Sequence, residues 1–142
     1  MPTNFSKPSL KAVRYAVRFA EQTGATIHLV YVLESPAFIH DFETFPLAIP
    51  EVELVGFAQG KLLSVASAEI EELVPVKTNV LIGKPFREIV EFARRADIDL
   101  IVIATHGRAG LNRMLLGSTA ELVVRHAPCP VLIVREHEHE FV

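Results

Sequence analysis

A chain of 142 residues with a formal net charge of −3 and a single cysteine has room for one compact core and not for two. Its pI near 6.1 carries no electrostatic footprint for nucleic acid, and one thiol builds neither an internal disulfide nor a thiolate-rich zinc site. Half of the residues are hydrophobic, yet they fall in short runs far from the roughly 20 apolar residues of a membrane span, and Met1 to Lys11 lack the pattern of an export signal. One domain over residues 1–142, in the cytoplasm and away from membranes, is the expectation.

From Ser6 to about Thr23, Leu10, Val13, Val17 and Ala20 recur every three or four residues, with Lys11, Arg14 and Arg18 between them as a solvated face. This predicts an amphipathic helix capped by Ser6, tolerant of Pro8 in its first turn and closed by Gly24. Thr26 to Leu33 is nearly continuous in apolar and β-branched residues, as a strand covered on both faces requires. Glu34 to Pro50, with three prolines and Phe38, Phe42 and Phe45, reads as a long packed loop.

A second helix is predicted from Glu51 to Leu73, weakened at Gly56 and Gly60. Val76, Thr78, Val80 and Ile82 alternate with Lys77, Asn79 and Leu81, the pattern of a less buried strand at a sheet edge. Gly83-Lys84-Pro85 leads into a third helix, Phe86 to Ala96, with Ile89, Val90, Phe92 and Ala93 facing the sheet. Leu100 to Ala104 is the clearest buried strand. A fourth helix is expected from Ser118 to His126, ended by Pro128, and Val131 to Val134 is the last strand. Cys129, between two prolines, reads as an apolar filler. Regular alternation of helix and strand predicts a doubly wound parallel α/β sheet.

Ligands of such sheets collect beyond the carboxyl ends of strands. The strongest candidate is Ala104 to Thr119: a strand ends, glycines permit close approach, and Gly117-Ser118-Thr119 opens a helix whose free amides and dipole suit a phosphate. Ser118-Thr119-Ala120-Glu121 also fits a capping box in which Ser118 and Glu121 satisfy each other's amides. The Walker-type loop is absent, because Ser118 stands where its lysine would follow the last glycine, and no GxGxxG follows the first strand.

The stretch DLIVIATHGRAGLNRMLLGSTAELVVRHAPCPVLIV, Asp99 to Val134, closely resembles the C-terminal half of universal stress protein domains. The resemblance extends to Gly83-Lys84-Pro85 and to Pro2-Thr3-Asn4-Phe5-Ser6, and so covers nearly the whole chain. It implies a flavodoxin-like sheet of order 3-2-1-4-5, a homodimer paired through the last strand, and ATP, with or without a divalent cation, held by a G-x2-G-x9-G-[ST] loop. On this chain that loop falls on Ala104, Gly107, Gly117 and Ser118, with both intervals kept. The implied base and ribose contacts come from the starting segment, Pro2, Thr3 and Asn4, and from Val32. His106, Arg108 and Thr119 complete the implied nucleotide-binding set.

Three departures accompany the resemblance. Ala104 replaces the first glycine and adds a methyl group where the ribose would approach. Asn4 replaces the aspartate of the common PTDFS version, which removes a charge but keeps hydrogen-bonding capacity. Almost nothing precedes Pro2 where the family places its first, central strand, so the expectation is a shortened start or a strand supplied by another chain.

Two other functions are weaker readings. A non-nucleotide interaction protein of the same fold follows if the departures abolish binding. A slow hydrolase, or self-phosphorylation at Ser118 or Thr119, needs a general base or metal-binding carboxylate that the loop does not contain, and His106 has no acid or nucleophile partner. The alternating His137 and His139 read as a solvated tail.

Overall fold

A computed structural model describes residues 1–34, 50–70, 72–105 and 117–135. The centre of the Glu34 to Pro50 loop, residues 106–116 and the C-terminal tail from 136 lie outside the described residues.

Helix α1, Lys7–Thr23, has the ends its sequence encodes. Ser6 is extended and accepts the Ser9 amide on its hydroxyl, while Gly24 adopts the left-handed φ of 68° and returns its N–H to Ala20. Ala12, Val13, Tyr15, Ala16, Val17 and Ala20 form the buried stripe, which takes in the expected Val13, Val17 and Ala20; Leu10 is only half-buried, and Lys11, expected on the solvated face, is buried, because the stripe is wide enough to cover its position.

Strand β1, Ile27–Leu33, pairs in parallel with β2, Val76–Ile82, from Ile27 opposite Val76 to Leu33 opposite Ile82. The crossover between them is α2, Glu51–Glu69, which lays Ala58, Leu62 and Ala66 against the strands. This helix stops four residues before the expected Leu73. The chain must become extended before Pro75, and a residue preceding proline is steered out of the helical region. The last helical bond is the Ile70 amide to Ala66.

The second half repeats the pattern. Helix α3, Pro85–Arg95, leads to β3, Ile101–Ala104, and α4, Ser118–His126, leads to β4, Val131–Val134. Strands β3 and β4 are parallel, with Ile101 opposite Val131 and Ala104 opposite Val134. Alternation along β3 sends Val102 into the core built on α1 and β1, and Ile101 and Ile103 into a second core with Ile89, Ala93, Ala120 and Val123. Both faces of β3 are therefore covered, which explains its unbroken apolar sequence.

The expected five-stranded sheet is not formed as one ladder. The described residues make two parallel pairs, β1–β2 and β3–β4, and the chain start joins only the first. Pro2 bridges Val30 in parallel, with the Val30 amide donating to Met1 O at 2.9 Å and the Thr3 amide to Val30 O at 2.8 Å. Toward the amino ends of β1 and β3 lies a small open slot lined by Met1, His28, Val30, Phe92, Ile98 and Ile101, among others.

Candidate functional site

Strand alternation decides which backbone groups are left unpaired toward the carboxyl ends of the strands. The Ile27 amide donates to Pro75 O at 2.8 Å and the Gly83 amide to Leu33 O at 3.0 Å, so the odd-numbered residues of β1 turn toward β2. Val30 and Val32 turn the other way. Val30 is taken up by residues 1–3, and Val32 lies one step beyond them. In β3 the Ile101 amide donates to Pro130 O, and past its end the Thr105 amide donates to Val134 O, both at 3.0 Å. The N–H and C=O of Ala104 consequently face away from β4 and toward the side of β1. Asn4, at the carboxyl end of residues 1–3, belongs to the same edge of the molecule as Val32.

The starting segment is held by a closed hydrogen-bond network. Thr3 is buried, and its hydroxyl accepts from the Phe5 amide at 3.1 Å and lies 3.0 Å from Ser9 Oγ. Ser9 Oγ gives its proton to Ser6 O at 2.8 Å, so the Thr3 hydroxyl must donate to Ser9. Asn4 Oδ1 receives the Ser6 amide at 3.2 Å and the Ser6 hydroxyl at 2.6 Å. Phe5, at φ 62°, turns its ring onto Tyr31 with centroids 4.9 Å apart. The sequence pointed to Thr3 as a ligand contact, but its hydroxyl is committed inward. Sequence reasoning missed Ser9, whose only signal is its place three residues after the cap.

The far side of the site is the start of α4. Gly117 precedes the helix with φ −57° and ψ 144°, and its amide donates to Thr105 O at 2.7 Å. Gly117 therefore offers clearance rather than a donor. The predicted capping box does not form. Ser118 is the first helical residue instead of the cap, no side chain among the described residues caps the helix, and the Glu121 carboxylate pairs with Arg125 at 3.0 Å. Ser118 and Thr119, the first residues of α4, are left without that cap, the arrangement from which helix starts bind anions. Ser118 itself is exposed. His106, Gly107 and Arg108 lie outside the described residues.

No group of three His, Cys, Asp or Glu side chains among the described residues is placed to hold a metal ion. Burial pushes the Cys129 thiol above its usual range, against an opposing backbone hydrogen bond from Ile101, which fits an apolar filler and not a nucleophile.

The model of the Universal stress protein family matches residues 1–135. The chain belongs to the universal stress protein family. It is 36% identical over 140 residues to universal stress protein MJ0531 of Methanocaldococcus jannaschii, an alignment that spans 99% of this chain and 82% of the relative. The solved structure of MJ0577 from the same organism superposes with a TM-score of 0.80 at 27% identity, over 97% of this chain and 94% of that one. A universal stress protein of Archaeoglobus fulgidus, solved in complex with dAMP, has the same fold at 20% identity and a TM-score of 0.63, over 94% and 93% of the two chains. The alternating helices and parallel strands of this universal stress protein are thus those of its relatives, whereas the single sheet order 3-2-1-4-5 is not seen here as a continuous ladder.

Proposed function

We propose that this universal stress protein binds an adenine nucleotide, ATP or a related one, in the crevice between Asn4 and Val32 on one side and Ala104, Gly117, Ser118 and Thr119 on the other. The observation that carries the reading is the uncapped start of α4, opposite backbone groups of Val32 that alternation turns into the same crevice. A phosphate suits the first, and the paired donor and acceptor of an extended residue suit the edge of a purine. The dAMP in the Archaeoglobus relative supports an adenine ligand. Thr3, Asn4, Val32, Ala104, Ser118 and Thr119 include no carboxylate, so a divalent cation would enter as the counterion of the phosphates. The absence of a base or acid from the same residues favours binding over turnover.

In this reading residues 1–142 are one cytoplasmic domain. Strands β2 and β1, residues 1–3, and strands β3 and β4 follow the family order 3-2-1-4-5, with residues 1–3 in the position of the first strand. The free edge of β4 pairs with a second copy, which covers an apolar edge that would otherwise be a template for aggregation. An Ile133→Pro variant, which removes an edge donor on the side of β4 turned away from β3, should sediment as a monomer at concentrations where the wild type sediments as a dimer; equal sedimentation would sink the pairing.

The decisive experiment is base analysis and mass spectrometry of small molecules released on denaturing protein purified without added nucleotide, beside a calorimetric ATP titration. A stoichiometric adenine nucleotide or a saturable titration establishes the site. Neither signal from folded protein leaves the second reading, an interaction protein of the same fold, in which Ala104 stands where the resemblance implies the first glycine of the loop.

A further inference from the structure

The protons around Asn4 can be placed one by one. The backbone N–H of Ser6 points at Asn4 Oδ1 across 3.2 Å, and since a backbone amide only donates, this fixes which end of the carboxamide is oxygen. Ser6 Oγ accepts from the Ser9 amide at 3.4 Å and lies 2.6 Å from the same Asn4 oxygen, so its one hydroxyl proton also goes to Asn4. The oxygen is thereby occupied by the turn that starts α1. Asn4 Nδ2, with two protons to give, has no hydrogen-bond partner among the described residues. Asn4 is partly exposed, and the Thr3 hydroxyl beside it is fully engaged inward. The carboxamide N–H₂ is therefore what the side chains of residues 3 and 4 have left to offer a ligand.

An aspartate at this position would keep both Ser6 bonds on one oxygen and present its second oxygen, a charged acceptor, to the same place. Asparagine reverses the polarity of that contact.

We propose that Asn4 is a specificity-determining residue that shows the crevice donors only, so that the site takes 6-oxopurine nucleotides at least as well as 6-aminopurine nucleotides. The inference rests on the nucleotide reading above. If the phosphates lie at Ser118 and Thr119, on the β3–β4 side, the base end lies toward β1, where Asn4 and Val32 are. An exocyclic amine against Asn4 Nδ2 sets two donors face to face. A carbonyl there completes a hydrogen bond, and a site with a polar group left unpaired discriminates strongly.

The test is calorimetric titration of the wild type and Asn4→Asp with ATP and ITP, which share sugar and triphosphate and differ at position 6 of the base and in the proton N1 carries with it; the change in their ratio on Asn4→Asp isolates the contribution of residue 4. Asn4→Asp is nearly isosteric and retains acceptors for both Ser6 donors, so it should fold normally, which a thermal melt checks. The wild type is expected to bind ITP as tightly as ATP or more tightly, and Asn4→Asp to shift the ratio toward ATP by about tenfold. A wild type that prefers ATP by about tenfold, or a ratio unmoved by Asn4→Asp, overturns the assignment while nucleotide binding stands. No binding of either nucleotide to the folded wild type removes the site itself, and this inference with it.

Discussion

The backbone N–H of Gly117 donates to the carbonyl of Thr105 across 2.7 Å, tying the entry of α4 to the exit of β3. That bond uses the backbone of Gly117 and nothing that only glycine possesses, since φ −57° and ψ 144° are open to any L residue. Gly117→Ala should therefore fold as the wild type does, with stability within about 0.5 kcal/mol. If a phosphate approaches the start of α4, the added methyl group stands in its path, and ATP affinity should fall by about tenfold or more. Thermal melts and calorimetry on one preparation separate the two effects. Unchanged affinity would place the phosphate elsewhere.

Ala104 poses the complementary case. Its backbone N–H and C=O face away from β4, and its methyl group, packed against the core on α1 and β1, stands where the resemblance implies a glycine. Ala104→Gly should cost about 0.5–1 kcal/mol in a strand, through the entropy of the unfolded chain. It should at the same time tighten ATP binding by about tenfold, the scale on which one methyl group matters in a fitted pocket. A loss of stability with no gain in affinity would show that the methyl group is not an obstacle.

Gly83 is a glycine that its backbone does require. It has φ 148°, and a Cβ built there would come within 2.7 Å of Glu88 Oε1 and 2.9 Å of Glu88 Cγ. Gly83→Ala should destabilise the protein by about 1–3 kcal/mol. Adding Glu88→Ala removes the clash and leaves the conformational strain, so the double variant should recover part of the loss and not all of it. Full recovery in urea unfolding would mean that the backbone strain is negligible.

The fold was legible where local chemistry decides it. Strand β2, helix α4 and strand β4 begin and end at the residues their patterns predict, and Ser6 and Gly24 close α1 as their types require. Legibility failed where a distant residue competes for a group. Ser118 and Glu121 carry the sequence of a capping box, but Gly117 takes the cap position because its amide is held by Thr105, on the far side of the loop. The inward bonds of the Thr3 hydroxyl to Ser9 and Phe5 were likewise not legible, because nothing in the spacing of the three residues announces them. The overlong α2 is a different failure, in which apolar spacing through Leu73 outran the limit set by Pro75.

Strand β1 carries a titrating group that the proposed ligand does not use. His28 Nδ1 is buried with no hydrogen-bond partner among the described residues, and the ring tilts against Phe92 at 5.6 Å. Burial in the first place, and the Lys77 ammonium in the second, hold its pKa below the usual 6.5. The unfolded chain therefore takes up a proton near the usual value, whereas the folded chain resists it until lower pH. Between those two points the unfolded state binds more protons, so the contribution of His28 is complete above the unfolded pKa and is lost as the pH falls toward the folded one. The urea midpoint should decline on acidification from about pH 7 toward pH 5. His28→Phe keeps an aromatic ring beside Phe92 and removes the titration, so its midpoint should decline less steeply over that window. Parallel declines in the two proteins would assign the acid sensitivity to another group.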